Sequence, residues 1–512
     1  MDSESLRESL SSLSLPKNHL TLGLTNLINQ SKDLSTLLKH KKLPDHPFTD
    51  LQIQTIILTL STLDTNNEFS LNNHNSTAAG RWVGVGEREG RIYSSLVSSR
   101  NFGLGHGMGR SGDIMEPQPK AVGSSILVQL TKHLVMDAMI RGAGLKAEKN
   151  GGPVNHGLIL PMCTGMSVAL VLSSLREQDD SESDVKKDVV LWSRIDQKSC
   201  FKAVLSAGFQ CVVVPTKIEG DMVVTDMDAM KKNVEKYKGR VRAIISTTSC
   251  FAPRVPDSID DIGRLCKEDG IAHIVNNAYG LQCQTTVKLL NRACVVGRVD
   301  AIICSTDKNF LVPVGGAIVT SPNEKMIATI SKVYAGRASS APILDLFITL
   351  LSMGLSGYKK LLEERRQLMI DFKNKFEEVA KKYGERSLVC PKNTISYGIT
   401  LDTLSQPLEG EDPQSINAGK LTSSFGSMLF TRCVSGTRVV AKGGLKTMGG
   451  QDFVGFGSST DNYSSSYLTA ACAIGLTENE MNEFFKRLDK CFKDFFAKRK
   501  KALKKKMQDE SS

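Results

Sequence analysis

The chain has 512 residues, of which 40% are hydrophobic and 23% are charged, an ordinary composition for a water-soluble protein of two or three structural units. No segment reaches about 18 uninterrupted apolar residues, and the N-terminal sequence lacks a basic region followed by an apolar stretch. We therefore predict no membrane association and expect a cytoplasmic protein. Neither the 12 cysteines nor the 8 histidines show metal-ligand spacing, so we predict no metal site.

The net charge of +11 is concentrated near the C-terminus. Residues 486–506 contain 11 lysines or arginines and 2 aspartates, which gives this segment +9 and leaves the rest of the chain nearly neutral. A local basic surface favours a polyanionic partner, although a solvated helix end would carry the same charge.

Changes in composition divide the chain into four predicted parts. Residues 1–70 show helical periodicity near residues 20–38 and 51–63, which indicates a helical N-terminal extension. Residues 71–340 are predicted to form the catalytic domain. Between about residues 150 and 330, short runs of valine and isoleucine alternate with helical patterns, which predicts an α/β fold with a mainly parallel sheet. Residues 341–497 fit a smaller α+β C-terminal domain, and residues 498–512 fit a basic tail. Within the C-terminal domain, residues 405–424 have the composition of a surface loop. The predicted strands lie at residues 158–160, 189–192, 211–214, 243–245, 271–275, 301–303 and 317–319.

The glycine-rich segment of residues 103–113 is a candidate phosphate-binding loop. Its backbone N–H groups are accessible, and Arg110, Ser111, Gln118 and Lys120 lie in it or just after it. The segment also contains a G-x-G-x-x-G pattern, but no convincing strand precedes it, as a dinucleotide-binding fingerprint would require. We therefore interpret residues 103–120 as a loop that binds a substrate phosphate.

Three strand ends carry groups suited to pyridoxal phosphate, since ligands of such sheets bind at the carboxyl ends of strands. Thr164 and Gly165 open a helix whose free N–H groups could hold the cofactor phosphate. Asn276 could face the ring nitrogen, where an amide would make the ring a weaker electron sink than the commoner aspartate. Lys308 follows a predicted strand, and a desolvated amine there would have a lowered pKa and could form a Schiff base. An ordinary turn lysine is the alternative.

Several long segments resemble one enzyme family, the O-phosphoseryl-tRNA(Sec):selenocysteinyl-tRNA synthases. The similarity extends from about residue 63 to about residue 500, and its most specific segments are residues 84–91, 106–113, 194–202, 247–257, 307–310, 336–339 and 428–440. The resemblance implies a fold-type I pyridoxal phosphate transferase that is a homotetramer, a dimer of dimers with active sites at dimer interfaces. It implies conversion of phosphoseryl-tRNA(Sec) to selenocysteinyl-tRNA(Sec), with selenophosphate as the selenium donor.

The same resemblance implies roles for individual residues near the cofactor. Lys308 matches the Schiff-base lysine, and Arg88 matches a cofactor contact. Glu87 matches a filter that repels free amino acids, whose α-carboxylate is charged whereas the tRNA ester is neutral. The residues that match the binding site for the phosphoseryl phosphate are Arg110, Ser111, Gln118 and Arg337.

For tRNA binding, the resemblance implies that Arg432 reads the discriminator end of the tRNA. Two other tRNA contacts depart from the family pattern, because Val295 and Ala497 stand where an arginine and a lysine are expected. Arg292 and Lys498 lie close enough in sequence to compensate.

Two other functions remain open at this stage. One is a fold-type I pyridoxal phosphate enzyme that acts on a free amino acid, such as a desulfurase or a decarboxylase, although no cysteine stands out as the persulfide carrier that a desulfurase needs. The other is an RNA-binding protein that uses its basic C-terminus and has an inert pyridoxal-type scaffold.

Overall fold

All seven predicted strands are present in the computed structural model, which describes residues 10, 15–65, 84–147, 152–176 and 186–510. The predicted strands are β1 (His156–Leu160), β2 (Val189–Ser193), β3 (Gln210–Val214), β6 (Val241–Thr247), β7 (Ala272–Asn276), β8 (Ala301–Ser305) and β9 (Ala317–Ser321). Two short strands that were not predicted, β4 (Thr216–Glu219) and β5 (Met222–Thr225), lie between β3 and β6.

The seven predicted strands form one sheet in the order β1-β9-β8-β7-β6-β2-β3. Strand β9 is antiparallel to both of its neighbours, and the other strands run in one direction. Every residue of β2, β6, β7, β8 and β9 is buried, which explains why these strands read as continuous apolar runs. The predicted α/β class with a mainly parallel sheet is therefore confirmed.

The direction of the strands fixes where their polar ends meet. Because β1, β7 and β8 run in the same direction, their carboxyl ends lie at one edge of the sheet. Asn276, the last residue of β7, pairs with Ile303 of β8. The sheet thus brings together the ends of three strands that are far apart in sequence.

The chain divides into two compact units. The first, which we call the helical unit, comprises Met1–Gly142, Val312–Gly316 and Ser331–Lys359. The second, the sheet unit, comprises Ala143–Leu311, Ala317–Ile330 and Lys360–Ser512. The boundaries predicted from composition, at residues 70, 340 and 497, remain predictions.

The helices in the first part of the chain are α1 (Lys17–His40), α2 (Asp50–Ser61), α3 (Ser95–Arg100) and α4 (Val122–Asp137), followed by a π-helical turn at Ala138–Gly142. Helices α1 and α2 confirm the helical periodicity of the N-terminal sequence. Thr49 caps α2 in a capping box with Gln52. Gly123 permits close approach of α2 and α4, because a Cβ atom there would lie 1.7 Å from the Leu60 carbonyl oxygen.

The helices associated with the central sheet are α5 (Thr164–Arg176), α6 (Lys198–Ser206), α7 (Met227–Lys236), α8 (Ile259–Glu268), α9 (Gln284–Val296) and α10 (Thr306–Phe310), with a 3₁₀ turn at Gly280–Gln282. The remaining helices are α11 (Glu324–Val333), α12 (Ala341–Lys382), α13 (Ala418–Phe430) and α14 (Glu478–Glu510), with 3₁₀ turns at Asp402–Ser405 and Pro413–Ser415.

Helix α12 is the candidate for a membrane span among the described residues, by length and composition only. Half of its most apolar window is buried inside the protein. Gly354 interrupts the helix with a non-helical φ of 59°. A core helix of a water-soluble protein has the same composition, so this helix is weak support for a membrane span.

The C-terminal part of the sheet unit has its own aromatic core. Its strands are β10 (Ser396–Thr400), β11 (Arg438–Val440), β12 (Leu445–Met448), β13 (Gln451–Val454) and β14 (Tyr467–Ala471). Strand β14 lies between β10 and β11 and is antiparallel to both. Phe372, Phe376, Phe425 and Phe492 are among the buried residues of this core.

The structure differs from two predictions for the C-terminal region, a surface loop and a basic tail. The loop predicted at residues 405–424 is wrong from Ala418 onward, where α13 begins. The Asn417 side chain accepts a hydrogen bond from the Lys420 N–H at 2.9 Å and caps this helix. Helix α14 continues to Glu510, so the described residues of the predicted basic tail are helical.

Candidate active site

A cavity of about 850 Å³ in the sheet unit lies at the carboxyl ends of β1, β7 and β8. Four of the residues predicted to bind the cofactor line it: Thr164, Gly165, Asn276 and Lys308. We call it the lysine cavity. Arg88, the fifth predicted cofactor residue, lines a different cavity in the helical unit.

Lys308 lies in the short helix α10 directly after β8. Its Nζ donates hydrogen bonds to Asp307 Oδ2 at 3.0 Å and to Ser305 Oγ at 3.3 Å. Its side chain is 46% exposed, so the expectation of a desolvated amine is wrong. The reason is that α10 begins at the strand end and turns Lys308 toward the open cavity.

The start of α5 forms another wall of the lysine cavity. The hydroxyls of Thr164 and Ser305 are hydrogen-bonded to each other, which links the start of α5 to the end of β8. A Cβ atom on Gly165 would lie 3.1 Å from Ser199 Cβ, a tight contact. A glycine therefore permits close approach of α5 and α6. The first turn of α5 has N–H groups without partners inside the helix, which can hold an anion.

Asn276 is buried at the base of the same cavity. Its Nδ2 donates to Cys200 Sγ at 3.1 Å, and its Oδ1 accepts from the Ala278 N–H at 3.3 Å. Burial raises the pKa of the Cys200 thiol to about 11, so this sulfur stays protonated at neutral pH. The amide is therefore fixed by neutral partners.

Sequence reasoning missed several residues that line the lysine cavity. Gln197 and Cys200 follow β2, in a segment that resembled the family but received no role. Arg438 comes from β11, and its guanidinium stacks on the Phe251 ring at 3.9 Å from the ring centroid. Arg438 lies in the family-like segment of residues 428–440 but received no role, and more than a hundred residues separate it from Lys308.

The second cavity, also about 850 Å³, lies within the helical unit. Arg88, Ser111 and Arg337 line it together with His106 and backbone from two glycine-containing loops. We call it the arginine cavity. Burial, and secondarily the charge of Arg88, lowers the pKa of Arg337. Two cationic groups close enough to affect each other favour an anionic ligand.

Close backbone contacts build the arginine cavity. The backbones of Met108 and Ala338 exchange hydrogen bonds of 2.9 and 3.2 Å. Gly107 has a φ of 69°, and a Cβ atom there would lie 2.2 Å from the Ala338 carbonyl oxygen. Arg337 Nη2 donates to the His106 carbonyl oxygen. The glycine-rich loop and the segment around Arg337 are therefore locked together.

The other predicted substrate residues do not line the arginine cavity as the structure describes it. Arg110 is about half exposed and forms an ion pair with Glu116 at 2.8 Å. The Gln118 backbone N–H donates to Ser125 Oγ at 3.0 Å. Glu87 is 88% exposed, with Oε1 3.9 Å from Arg88 Nε. Solvent screening at that exposure makes its charge a weak filter.

The predicted tRNA-binding residues lie in the sheet unit. A hydrogen bond from Arg432 and the charge of Lys498 both lower the pKa of Asp494, so these two residues lie near each other, whereas Arg292 is on α9. Arg432 is 19% exposed and is held by Asp494 Oδ2 at 2.6 Å and by the Met428 carbonyl oxygen at 2.8 Å. Arg292 is exposed and lies 3.2 Å from Asp260 Oδ2. Lys498 is exposed on α14. Arg432 could read a base only after Asp494 releases it.

The family model of O-phosphoseryl-tRNA(Sec) selenium transferases matches residues 73–493 of the chain. The O-phosphoseryl-tRNA(Sec) selenium transferase of Dictyostelium discoideum is 46% identical over 468 residues, which cover 90% of this chain and 94% of that protein. The transferase of the same name from Methanopyrus kandleri is 34% identical over 477 residues, covering 93% of this chain and 98% of that protein.

Solved structures agree with these relatives. The crystal structure of an archaeal O-phosphoseryl-tRNA(Sec) selenium transferase has a TM-score of 0.79 and 28% identity, and the match covers 93% of this chain and 98% of that chain. Catharanthus roseus tryptophan decarboxylase in complex with L-tryptophan has a TM-score of 0.53 and 14% identity, covering 94% of this chain and 99% of that chain, and shows the fold alone. The fold-type I class predicted from the sequence is confirmed. With the family match over residues 73–493, it follows that the chain belongs to the O-phosphoseryl-tRNA(Sec) selenium transferase family.

Proposed function

We propose that this protein converts phosphoseryl-tRNA(Sec) to selenocysteinyl-tRNA(Sec), with pyridoxal phosphate as cofactor and selenophosphate as selenium donor. The observation that carries the proposal is the lysine cavity. It joins Lys308, Asn276 and the start of α5 at one sheet edge, in a chain whose relatives carry this transferase name. We propose that the enzyme is a homotetramer, as the family resemblance implies, and that it is cytoplasmic.

The lysine cavity fits pyridoxal phosphate. Its volume lies within the usual range for a cofactor site. The first turn of α5, whose residues Thr164 and Gly165 line the cavity, would hold the cofactor phosphate, and the exposed Lys308 amine would bind the aldehyde carbon. Asn276 would lie along the ring. Arg88, predicted from the sequence as a cofactor contact, lines the arginine cavity and not the lysine cavity, so we propose it there as a ligand of the substrate phosphate. When bound, the cofactor withdraws electrons from the substrate and so makes its Cα proton acidic.

Lys308 is the proposed base at the substrate Cα, a role that its amine can take once the substrate amine has replaced it on the cofactor carbon. Its Nζ already shares hydrogen bonds with Asp307 and Ser305, which fix the direction of the amine. Proton transfer requires that the amine reach the Cα–H within hydrogen-bond distance, and an exposed side chain on a short helix can do so. The same amine can return the proton to Cα after selenium has added to Cβ.

The arginine cavity is the proposed site for the leaving phosphate. Arg88, Ser111 and Arg337 offer two charges and a hydroxyl donor to phosphoryl oxygens, which stabilises the charge that grows as the Cβ–O bond breaks. Arg110 would join this site only after leaving Glu116, and Gln118 is proposed as a further ligand of the phosphate. Glu87 is proposed as the filter against free amino acids, with an effect reduced by its exposure.

Single-turnover conversion tests the proposed function. Purified protein loaded with pyridoxal phosphate should form selenocysteinyl-tRNA(Sec) from phosphoseryl-tRNA(Sec) and selenophosphate. Seryl-tRNA(Sec) is the matched control, since it lacks only the phosphate, and it should not react. Turnover of free phosphoserine or cysteine at a comparable rate would favour an enzyme of free amino acids, and a protein without cofactor absorbance that still binds tRNA would favour an inert scaffold.

We also propose that the exposed lysines on the last turns of α14 contact tRNA phosphates. Lys498 and Arg292, which lie near the positions where this chain differs from the family pattern, are proposed to contact tRNA as well. Arg499 does not belong to this group. It is buried, and its guanidinium pairs with Glu411 Oε2 at 2.5 Å and donates to the Leu404 carbonyl oxygen at 2.9 Å. Truncation before residue 498 would therefore remove a structural contact as well as charge.

Replacing the exposed lysines of α14 by glutamine should flatten the salt dependence of tRNA binding. Each lysine that contacts a phosphate should contribute somewhat less than about one unit to the slope of log affinity against log salt. Filter binding at several salt concentrations measures this slope. The lysines to replace are Lys498, Lys500, Lys501, Lys504 and Lys505.

A control variant with the same change in net charge carries glutamine at the dispersed exposed positions Lys231, Lys232, Lys267, Lys325 and Lys332. Its slope should match that of the wild type. If the α14 variant also keeps the wild-type slope, the basic segment is a solvated helix end.

A further inference from the structure

The side chain of His106 is buried, and the proposed reaction does not use its polar atoms. It is 6% exposed and lines the arginine cavity. Neither ring nitrogen has a hydrogen-bond partner among the described residues. Its carbonyl oxygen, in contrast, accepts a hydrogen bond from Arg337. The backbone of His106 is therefore fixed, while both ring nitrogens are buried without a hydrogen-bond partner among the described residues.

Two glycines hold the imidazole in place. A Cβ atom on Gly90 would lie 3.0 Å from His106 Nε2, and Gly90 has a φ of 68°, which favours glycine. A Cβ atom on Gly105 would lie 2.5 Å from the Gly90 carbonyl oxygen. The ring is thus packed against backbone, in a cavity that Arg88, Ser111 and Arg337 also line.

The charged surroundings determine the protonation state of this ring. Burial lowers the pKa of His106, and the charges of Arg337 and Lys120 lower it further, while Asp64 and Glu89 act in the opposite direction. The imidazole is therefore neutral at neutral pH, with one N–H donor and one acceptor nitrogen. A buried N–H without a partner is destabilising, so a ligand that accepts its hydrogen bond would be favoured.

We propose that His106 contacts the phosphoryl group bound in the arginine cavity, donating its ring N–H to a phosphoryl oxygen, and thereby contributes to selectivity for the phosphorylated substrate. This inference rests on the proposed function. The two arginines supply positive charge, which attracts any anion. A neutral N–H donor at a fixed position favours an anion that has an oxygen atom in the direction of that donor. The phosphoryl group can come from the seryl phosphate or from selenophosphate, which share the same tetrahedral chemistry.

The test compares His106→Phe with His106→Gln. Phenylalanine keeps a planar ring but has no donor, and glutamine restores an N–H donor. We expect His106→Phe to lower the ratio of phosphoseryl-tRNA affinity to seryl-tRNA affinity by about tenfold, the lower end for a hydrogen bond to a charged group. Glutamine should recover part of this ratio. Binding is measured without selenophosphate, so a wild type that binds but does not turn over counts against the proposed function and not against His106.

A merely structural role would weaken binding of both tRNAs equally and leave the ratio unchanged, and glutamine would then give no recovery. A raised KM for selenophosphate with an unchanged affinity ratio would identify selenophosphate as the source of the phosphoryl group. If the ratio and the KM both stay at wild-type values, the proposal is overturned. The control is His133→Asn, a partly buried histidine on α4 that does not line the arginine cavity, and it should leave the ratio unchanged.

Discussion

Replacing Lys308 by alanine should abolish turnover and leave the protein folded. The amine is the proposed cofactor attachment point and the proposed base at Cα, and a positioned base alone contributes about 10² to 10⁴ in rate. Stability should change little, because the side chain is 46% exposed and makes polar contacts with its near neighbours Asp307 and Ser305. Single-turnover kinetics and a thermal melt measure the two effects.

Chemical trapping tests the same assignment independently of turnover. Borohydride reduction of the protein loaded with pyridoxal phosphate should attach the cofactor to Lys308, and peptide mass spectrometry should locate it there. Lys198 is a matched control, since it is an exposed lysine that lines the same cavity. The variant Lys198→Ala should keep the label on Lys308. Label on any other residue in the wild type would remove Lys308 from its proposed role.

The sequence predicted the structure best where a short run of apolar residues corresponds to a buried strand. All seven strands of the central sheet could be predicted, because buried parallel strands read as short runs of valine and isoleucine. The strand ends then located Thr164, Asn276 and Lys308 at one edge, as the structure shows. Polar composition was less reliable, and it obscured the start of α13, where Asn417 is a helix cap and not part of a continuing loop.

Side-chain partners that lie far away in sequence could not be predicted. The pairing of Arg432 with Asp494 joins residues 62 positions apart, and the sequence does not show that this arginine is already engaged. Local partners were missed for a different reason. Glu116 lies six positions after Arg110, but only the folded loop shows that the two side chains form an ion pair. Burial of His106 likewise depends on close backbone contacts around Gly90.

Replacing Arg337 by alanine should weaken use of phosphoseryl-tRNA about a hundredfold, while Arg110→Ala should cost less than about tenfold. A hydrogen bond to a charged group is worth roughly 1.5 to 3 kcal/mol, and Arg337 should reach the upper end because it is partly buried beside Arg88. Its loss would also free the His106 carbonyl oxygen. The contribution of Arg110 should lie near the lower end of this energy range, since its side chain is about half exposed and must leave Glu116 before it can bind phosphate.

Values of kcat/KM for phosphoseryl-tRNA(Sec) in the two variants measure this difference. Affinity for pyridoxal phosphate should stay at the wild-type level in both, because neither arginine lines the lysine cavity. Arg337→Lys is a further control that keeps the charge but loses the planar fork of donors, and it should recover only part of the loss. A larger effect from Arg110→Ala than from Arg337→Ala would mean that the ion pair with Glu116 opens when substrate binds and that Arg110 is the main phosphate ligand.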